Sequence, residues 1–194
     1  MKLDPAILAD LAVAFAPKHF VRVTPMARGA TPLGAGYGVT RFASPTRAFK
    51  VIYLAEDLTT SVAEAIVRDR FQGKARRRLM QNEVDHWGAT EVSAATPLTL
   101  VDLRTTGLVR LGVSTEAARG KAQGQGRKLS QAVHDQTNAD GLLYLSRLTS
   151  RTCVCIYERA LPGPLVASPV MEVSRLAEFV GTLQALNVTL IASA

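Results

Sequence analysis

Five polar side chains stand on otherwise apolar stretches, and their types could do chemistry. They are Arg22 within Phe20-Val21-Arg22-Val23, Arg41 after the glycines at 34, 36 and 38, Tyr53 within Val51-Ile52-Tyr53-Leu54-Ala55, Glu64 on the segment that follows, and Ser146 closing Leu142 to Ser146. Each also has an ordinary structural explanation. Arg22 could pair with a surface carboxylate, and Tyr53 could be a core residue with a satisfied hydroxyl. Glu64 follows Ser61 by three residues, the spacing of a capping box. Ser146 could bond the backbone at a strand end, and no activating base accompanies it, so it is not a nucleophile candidate.

Missing signatures narrow the chemistry further. The chain has no Gly-x-x-x-x-Gly-Lys-Ser/Thr phosphate loop and no Gly-x-Ser-x-Gly elbow. His19, His86 and His134 lack metal-ligand spacing, and no metal is expected. The glycines at 34, 36 and 38 precede Val39-Thr40-Arg41-Phe42 rather than an apolar helix, so as a dinucleotide signal they are weak and alone read as a tight loop. Cys153 and Cys155, two apart in an apolar run, point to one face of a strand and are too close for an ordinary disulfide. They read as buried structural thiols.

The elements that must position these groups can be traced along the chain. Asp4 and Pro5 open a short amphipathic helix whose Ile7, Leu8, Leu11 and Phe15 share a face. Strands are expected at Phe20–Val23, Val51–Ala55, Gly88–Ser93, Leu98–Leu103, Leu142–Ser146, Cys153–Tyr157, Val166–Val173 and Val188–Ile191. Helices are expected from Thr59, continuing through Asp69-Arg70-Phe71, and over Ala75–Asn82, Lys128–Gln136 and Leu176–Leu186. Residues 25 to 48 form a Gly/Pro-rich passage, Ser114 to Gly126 reads as mobile, and Asn138-Ala139-Asp140-Gly141 is a turn. Strands and helices do not strictly alternate, so the expected class is α+β with one mixed sheet flanked by helices.

A chain of 194 residues fits one domain, and 47% hydrophobic with 20% charged residues is enough to bury a core. Twenty-three basic against 16 acidic residues leave +7, and 17 of the basic residues are arginine. That balance suits an anionic partner: nucleic acid, a membrane surface, a phosphorylated ligand or an acidic protein. With 11 aromatic residues and no helix-turn-helix or stacking strand, direct nucleic-acid binding is not expected. Six cations crowd the eleven residues from Arg68 to Arg78, as a solvated face or a surface for an acidic partner. No stretch reaches the roughly 20 apolar residues of a membrane helix. Ala14-Phe15-Ala16 imitates a cleavage site, but Asp4, Pro5 and Asp10 interrupt the apolar core before it, so a cytoplasmic chain is expected.

The order and spacing of the five residues resemble a family. An early strand Arg, Gly-x-Gly before Arg41-Phe42, Val-Ile-Tyr-Leu-Ala, the eleven residues from Tyr53 to Glu64, and Asp140-Gly141-Leu142-Leu143-Tyr144-Leu145-Ser146 together look like the RES domain, named for its Arg, Glu and Ser. Arg41-Phe42-Ala43-Ser44 stands where many members carry Arg-Trp-Asn. The resemblance spans roughly residues 20 to 160, which implies a catalytic core there, an N-terminal helical extension over 1–19 and a C-terminal strand-helix-strand extension over 161–194 packed on it.

What the resemblance implies is an ADP-ribosyltransferase-like fold acting on NAD as substrate rather than as a recycled cofactor. Members are toxins of bacterial toxin–antitoxin pairs, restrained by an Xre-type helix-turn-helix antitoxin in a hetero-oligomer. By matching position, Glu64, Arg41 and Tyr53 would be catalytic, and Arg22, Arg41, Tyr53 and Ser146 would bind NAD. The expected reaction is cleavage of the nicotinamide–ribose bond by phosphorolysis or hydrolysis. One alternative within the fold is mono-ADP-ribosylation of a protein. Another, from a different class, is a non-catalytic basic binding module.

Overall fold

The computed structural model describes residues 1–68, 70, 71 and 73–192. Eleven strands among them are β1 (Ala12–Phe15), β2 (Phe20–Pro25), β3 (Val51–Ala55), β4 (Arg78–Met80), β5 (Trp87–Ala94), β6 (Leu98–Asp102), β7 (Gly141–Leu145), β8 (Thr152–Tyr157), β9 (Leu165–Ala167), β10 (Met171–Glu172) and β11 (Thr189–Ile191). The α-helices are α1 (Pro5–Asp10), α2 (Leu58–Val62), α3 (Gln81–Val84), α4 (Gly107–Arg110), α5 (Glu116–Arg119), α6 (Gly124–Gln136) and α7 (Phe179–Ala185). The class is α+β, as the irregular alternation of elements implied. No described helix is long and apolar enough to cross a membrane.

Nine strands form one mixed sheet in the order β1-β6-β7-β8-β3-β2-β5-β10, with β9 also on β5. Within this sheet, among the described residues, only β6 and β7 pair in parallel, across a connection that holds α4, α5 and α6. The apolar runs at β3, β7 and β8 lie mid-sheet, where both faces are covered. Alternation then sorts them: Val51, Cys153, Cys155, Leu142 and Tyr144 pack with α6, while Ile52, Leu54, Val154, Ile156 and Leu143 fill the opposite face. Both thiols are free and buried, as expected of structural cysteines. Gly141 is where β7 comes closest to β8; a Cβ there would lie 2.0 Å from the Cys155 carbonyl oxygen.

Several elements depart from expectation for physical reasons. The first helix stops at Asp10, and Ala12–Phe15 leaves it to pair with β6 as the sheet edge. Residues 165–167 and 171–172 also join the sheet, as two short strands separated around Pro169, which cannot donate to a ladder. Of the helix expected over Ala75–Asn82 only Gln81 and Asn82, in α3, are helical: β4 occupies 78–80 and pairs in parallel with β11, outside the main sheet. The stretch 114–126 contains α5 and the first turn of α6. Asp69, expected within a continuing helix, lies outside the described residues.

Candidate functional site

The segment carrying Glu64 is where local structure is least regular. Asp57, not Ser61, caps α2, its carboxylate accepting from the Thr60 N–H at 2.7 Å. Glu64 is therefore free of the capping-box role its spacing suggested. Residues 63–67 then widen into a π-helical turn, ended by Arg68 at φ 23°, an unusual backbone for a side chain with a Cβ. Such turns within α-helices recur at functional sites, because the extra residue re-aims the side chains around it.

The Glu64 carboxylate is aimed from behind. Ser146 Oγ donates to Glu64 Oε1 at 2.7 Å and accepts from the Leu148 and Thr149 N–H groups at 3.1 and 3.2 Å. With its acceptor sites used by the turn, the hydroxyl has one direction in which to donate, and Glu64 lies there. Ser146 thus combines the strand-end role with a positioning one.

Arg41 comes from the passage between β2 and β3, which α6 holds in place. Ser130 Oγ donates to the Phe42 carbonyl at 2.7 Å, Ser44 Oγ donates to Gln131 at 2.6 Å, and Arg127 reaches the carbonyls of Ala43 and Ser44. From the sheet, Tyr53 anchors the same loop: its hydroxyl accepts from the Phe42 N–H at 3.0 Å and shares a hydrogen bond with Thr40 at 2.8 Å. Arg41 itself is buried, one guanidinium nitrogen donating to the Gly120 carbonyl. Burial lowers its pKa from the usual arginine value, an effect Glu64 opposes and Arg68 adds to.

These groups enclose a cavity of about 240 Å³. Arg41 and Thr40 form one wall, Ser61, Glu64, Ala65 and Arg68 another, and Tyr53, Tyr144 and Cys153 the sheet floor, with Trp87 beside them. Burial pushes the Tyr53 and Tyr144 hydroxyls and the Cys153 thiol well up, so all three stay protonated and none is a thiolate or phenolate nucleophile. The chemistry left to the cavity is electrostatic: a carboxylate facing guanidinium groups among aromatic rings. No group of three His, Cys, Asp or Glu among the described residues could hold a metal.

Three of the five sequence candidates, Arg41, Tyr53 and Glu64, line this cavity, and Ser146 supports it from outside. Arg22 does not reach it. Val21 pairs with Ala55, so Arg22 falls in register with Leu54, on the sheet face opposite Tyr53. Its guanidinium donates to the carbonyls of Pro32 and Gly34 at 2.7 and 2.8 Å, and burial lowers its pKa to about 10. It fastens the start of the passage that later delivers Arg41. Sequence reasoning missed Arg68, Trp87 and Tyr144. Tyr144 was visible within the Gly-Leu-Leu-Tyr-Leu strand, Arg68 was lost in a basic run, and Trp87 lay one residue before an expected strand.

The Tyr53 hydroxyl gives a first prediction. Tyr53→Phe leaves the buried Phe42 N–H without its acceptor, which costs about 1–3 kcal/mol. In a chain of this length that lowers Tm by roughly 2–10 °C in thermal denaturation. An unchanged Tm would show that the hydroxyl does not anchor the loop.

Comparison with known proteins adds three findings. A model of the RES domain matches residues 13–176. A "probable toxin y4kH" of Sinorhizobium fredii is 35% identical over 93 residues, 43% of this chain and 72% of that protein. Among solved structures, a chain of the M. tuberculosis MbcT-MbcA toxin-antitoxin complex superposes with a TM-score of 0.67 over 95% of this chain and 98% of that one. At 17% identity, that last likeness is one of fold.

Proposed function

The chain belongs to the RES domain family, and from that premise we propose that it is the toxin of a toxin–antitoxin pair and acts by breaking the nicotinamide–ribose bond of NAD. The observation that carries this reading is the Glu64 carboxylate, held by Ser146 and presented to a small cavity beside Arg41. Nicotinamide leaves with the electron pair of the glycosidic bond and becomes neutral, while the ribose carbon gains oxocarbenium character. A carboxylate facing that carbon stabilises the developing charge and can hold a ribose hydroxyl. Phosphate, water or a protein nucleophile then completes the transfer.

The other residues have supporting parts. Arg41 offers a planar fork suited to phosphate oxygens. Tyr53 gives its ring to the cavity and its hydroxyl to the Arg41 loop. Arg22 acts at one remove, through the passage it pins. The fold shared with a chain of the MbcT-MbcA toxin-antitoxin complex and the name of the Sinorhizobium relative support the toxin role and an antitoxin partner. An Xre-type antitoxin with an acidic surface would suit the exposed Lys74, Arg76 and Arg78.

The test is to incubate the purified chain with NAD, with and without phosphate, and identify the products. Nicotinamide with a phosphorylated ADP-ribose identifies phosphorolysis, free ADP-ribose identifies hydrolysis, and label retained on protein identifies transfer. Absence of nicotinamide both with and without phosphate would overturn the enzymatic reading.

A further inference from the structure

Trp87, the chain's single tryptophan, has a place at the cavity that no sequence motif assigned. It opens β5, and the register of β2 with β5 pairs Pro25 with Trp87 and Val23 with Ala89. Trp87 therefore shares the face of Val23 and Ala89, the side on which α2 packs, and it rests on the cluster those residues help form. The ring is half-buried. Among the described residues it stacks on no other aromatic ring, and its indole N–H has no hydrogen-bond partner.

The other two aromatics of the cavity each have a partner within the protein. Tyr144 packs edge-on against Phe42 with ring centroids 4.9 Å apart, and the Tyr53 hydroxyl is tied to the loop. Among the described residues Trp87 is the one of the three with neither a ring contact nor a side-chain hydrogen bond, so it lines the cavity with no structural task there. The cavity, at about 240 Å³, is below the usual size of a site that encloses a drug-sized ligand, so only part of a dinucleotide enters. With Glu64 inside, the entering part is the one that carries the bond to be broken.

We propose that Trp87 is a specificity-determining platform on which the nicotinamide ring of NAD lies, and that it makes the site favour the oxidised, cationic ring over the neutral ring of NADH. The inference rests on the NAD reading above. The face of an indole carries the strongest quadrupole of the protein aromatics, so it attracts a flat cation most and a neutral, puckered ring less. The same wall selects against an uncharged ring of the same outline. Glu64 adds to the attraction, but it acts on any cation in the cavity, whereas stacking also demands planarity.

The experiment uses Glu64→Gln protein, whose turnover is expected to be slow enough for binding to be measured, and follows NAD and NADH binding by calorimetry. With Trp87 intact, NAD is expected to bind about tenfold more tightly than NADH. Trp87→Leu in the same protein should weaken NAD about tenfold and erase the preference, leaving NADH within about threefold. Trp87→Phe keeps a weaker ring and should retain a reduced preference; it carries the test alone if the leucine variant fails to fold. A purely structural tryptophan would lower both affinities together and leave their ratio unchanged, which overturns the proposal. If Trp87-intact protein binds neither dinucleotide, the NAD reading has failed and this inference with it. NAD binding with an unaltered ratio in both variants removes the inference alone.

Discussion

Glu64→Gln is expected to lower nicotinamide release by about 10²–10³-fold while leaving the fold in place. The substitution is matched to the geometry. A glutamine carbonyl can still accept from Ser146 Oγ, so the side chain keeps its direction. The helix start is untouched, because Asp57 rather than Glu64 caps α2. What disappears is a full negative charge at the place where the NAD reading puts the carbon that becomes cationic. The buried Arg41 also loses an anion that favours its charged form. A stability loss of about 1 kcal/mol is expected, because Glu64 is only half-buried. Two measurements on one variant decide the matter: thermal denaturation should move by only a few degrees, and product formation should collapse. Full turnover in the glutamine variant would remove Glu64 from the chemistry. A parallel collapse of folding and turnover would reduce it to a packing residue.

The same residue shows how far a sequence can be read. Val51–Ala55 and Cys153–Tyr157 were legible because mid-sheet strands are apolar throughout, and Phe20–Val23 because Arg22 interrupts an alternation. The pairing of β1 with β6 was not legible, since four residues after a helix carry too short a pattern to outvote the helical face that continues through Leu11 and Phe15. Glu64 was visible as a spacing, but spacing alone could not separate a cap from a site. Only the position of Asp57 does so, and the π-helical turn that aims Glu64 has no sequence period of its own. Arg22 shows the opposite limit. An arginine in a strand reads identically on either face, and the face is set by its pairing with a strand some 30 residues later. Trp87 and Arg68 reach the cavity through tertiary packing that no local window contains.

Gly126→Ala should disturb the cavity from outside it. In α6, alanine is intrinsically preferred to glycine by about 1 kcal/mol, so helix propensity alone predicts a gain. Packing reverses the sign. A Cβ at Gly126 would lie 2.4 Å from the Ala117 carbonyl oxygen, 2.7 Å from the Arg41 carbonyl oxygen and 2.8 Å from Arg41 Cγ. Two of these neighbours are backbone, which cannot rotate aside, and the third is the stem of the guanidinium that lines the cavity. Overpacking of this kind costs about 1–3 kcal/mol. Set against the propensity gain, the net loss is about 1 kcal/mol, which lowers Tm by roughly 2–4 °C. The relief available is outward movement of the Arg41 loop, which displaces the guanidinium from the position the proposed reaction uses, and a shift near 1 Å can reduce turnover by about 10²-fold. Gly124, two residues earlier, supplies the control: nothing lies within 4 Å of its Cβ position, so Gly124→Ala should hold or raise Tm and keep activity. If both alanine variants turn over NAD equally, the contact between α6 and Arg41 does not set the guanidinium's place. If Gly126→Ala loses turnover at a temperature where it remains folded, α6 is the element that holds Arg41 against the substrate.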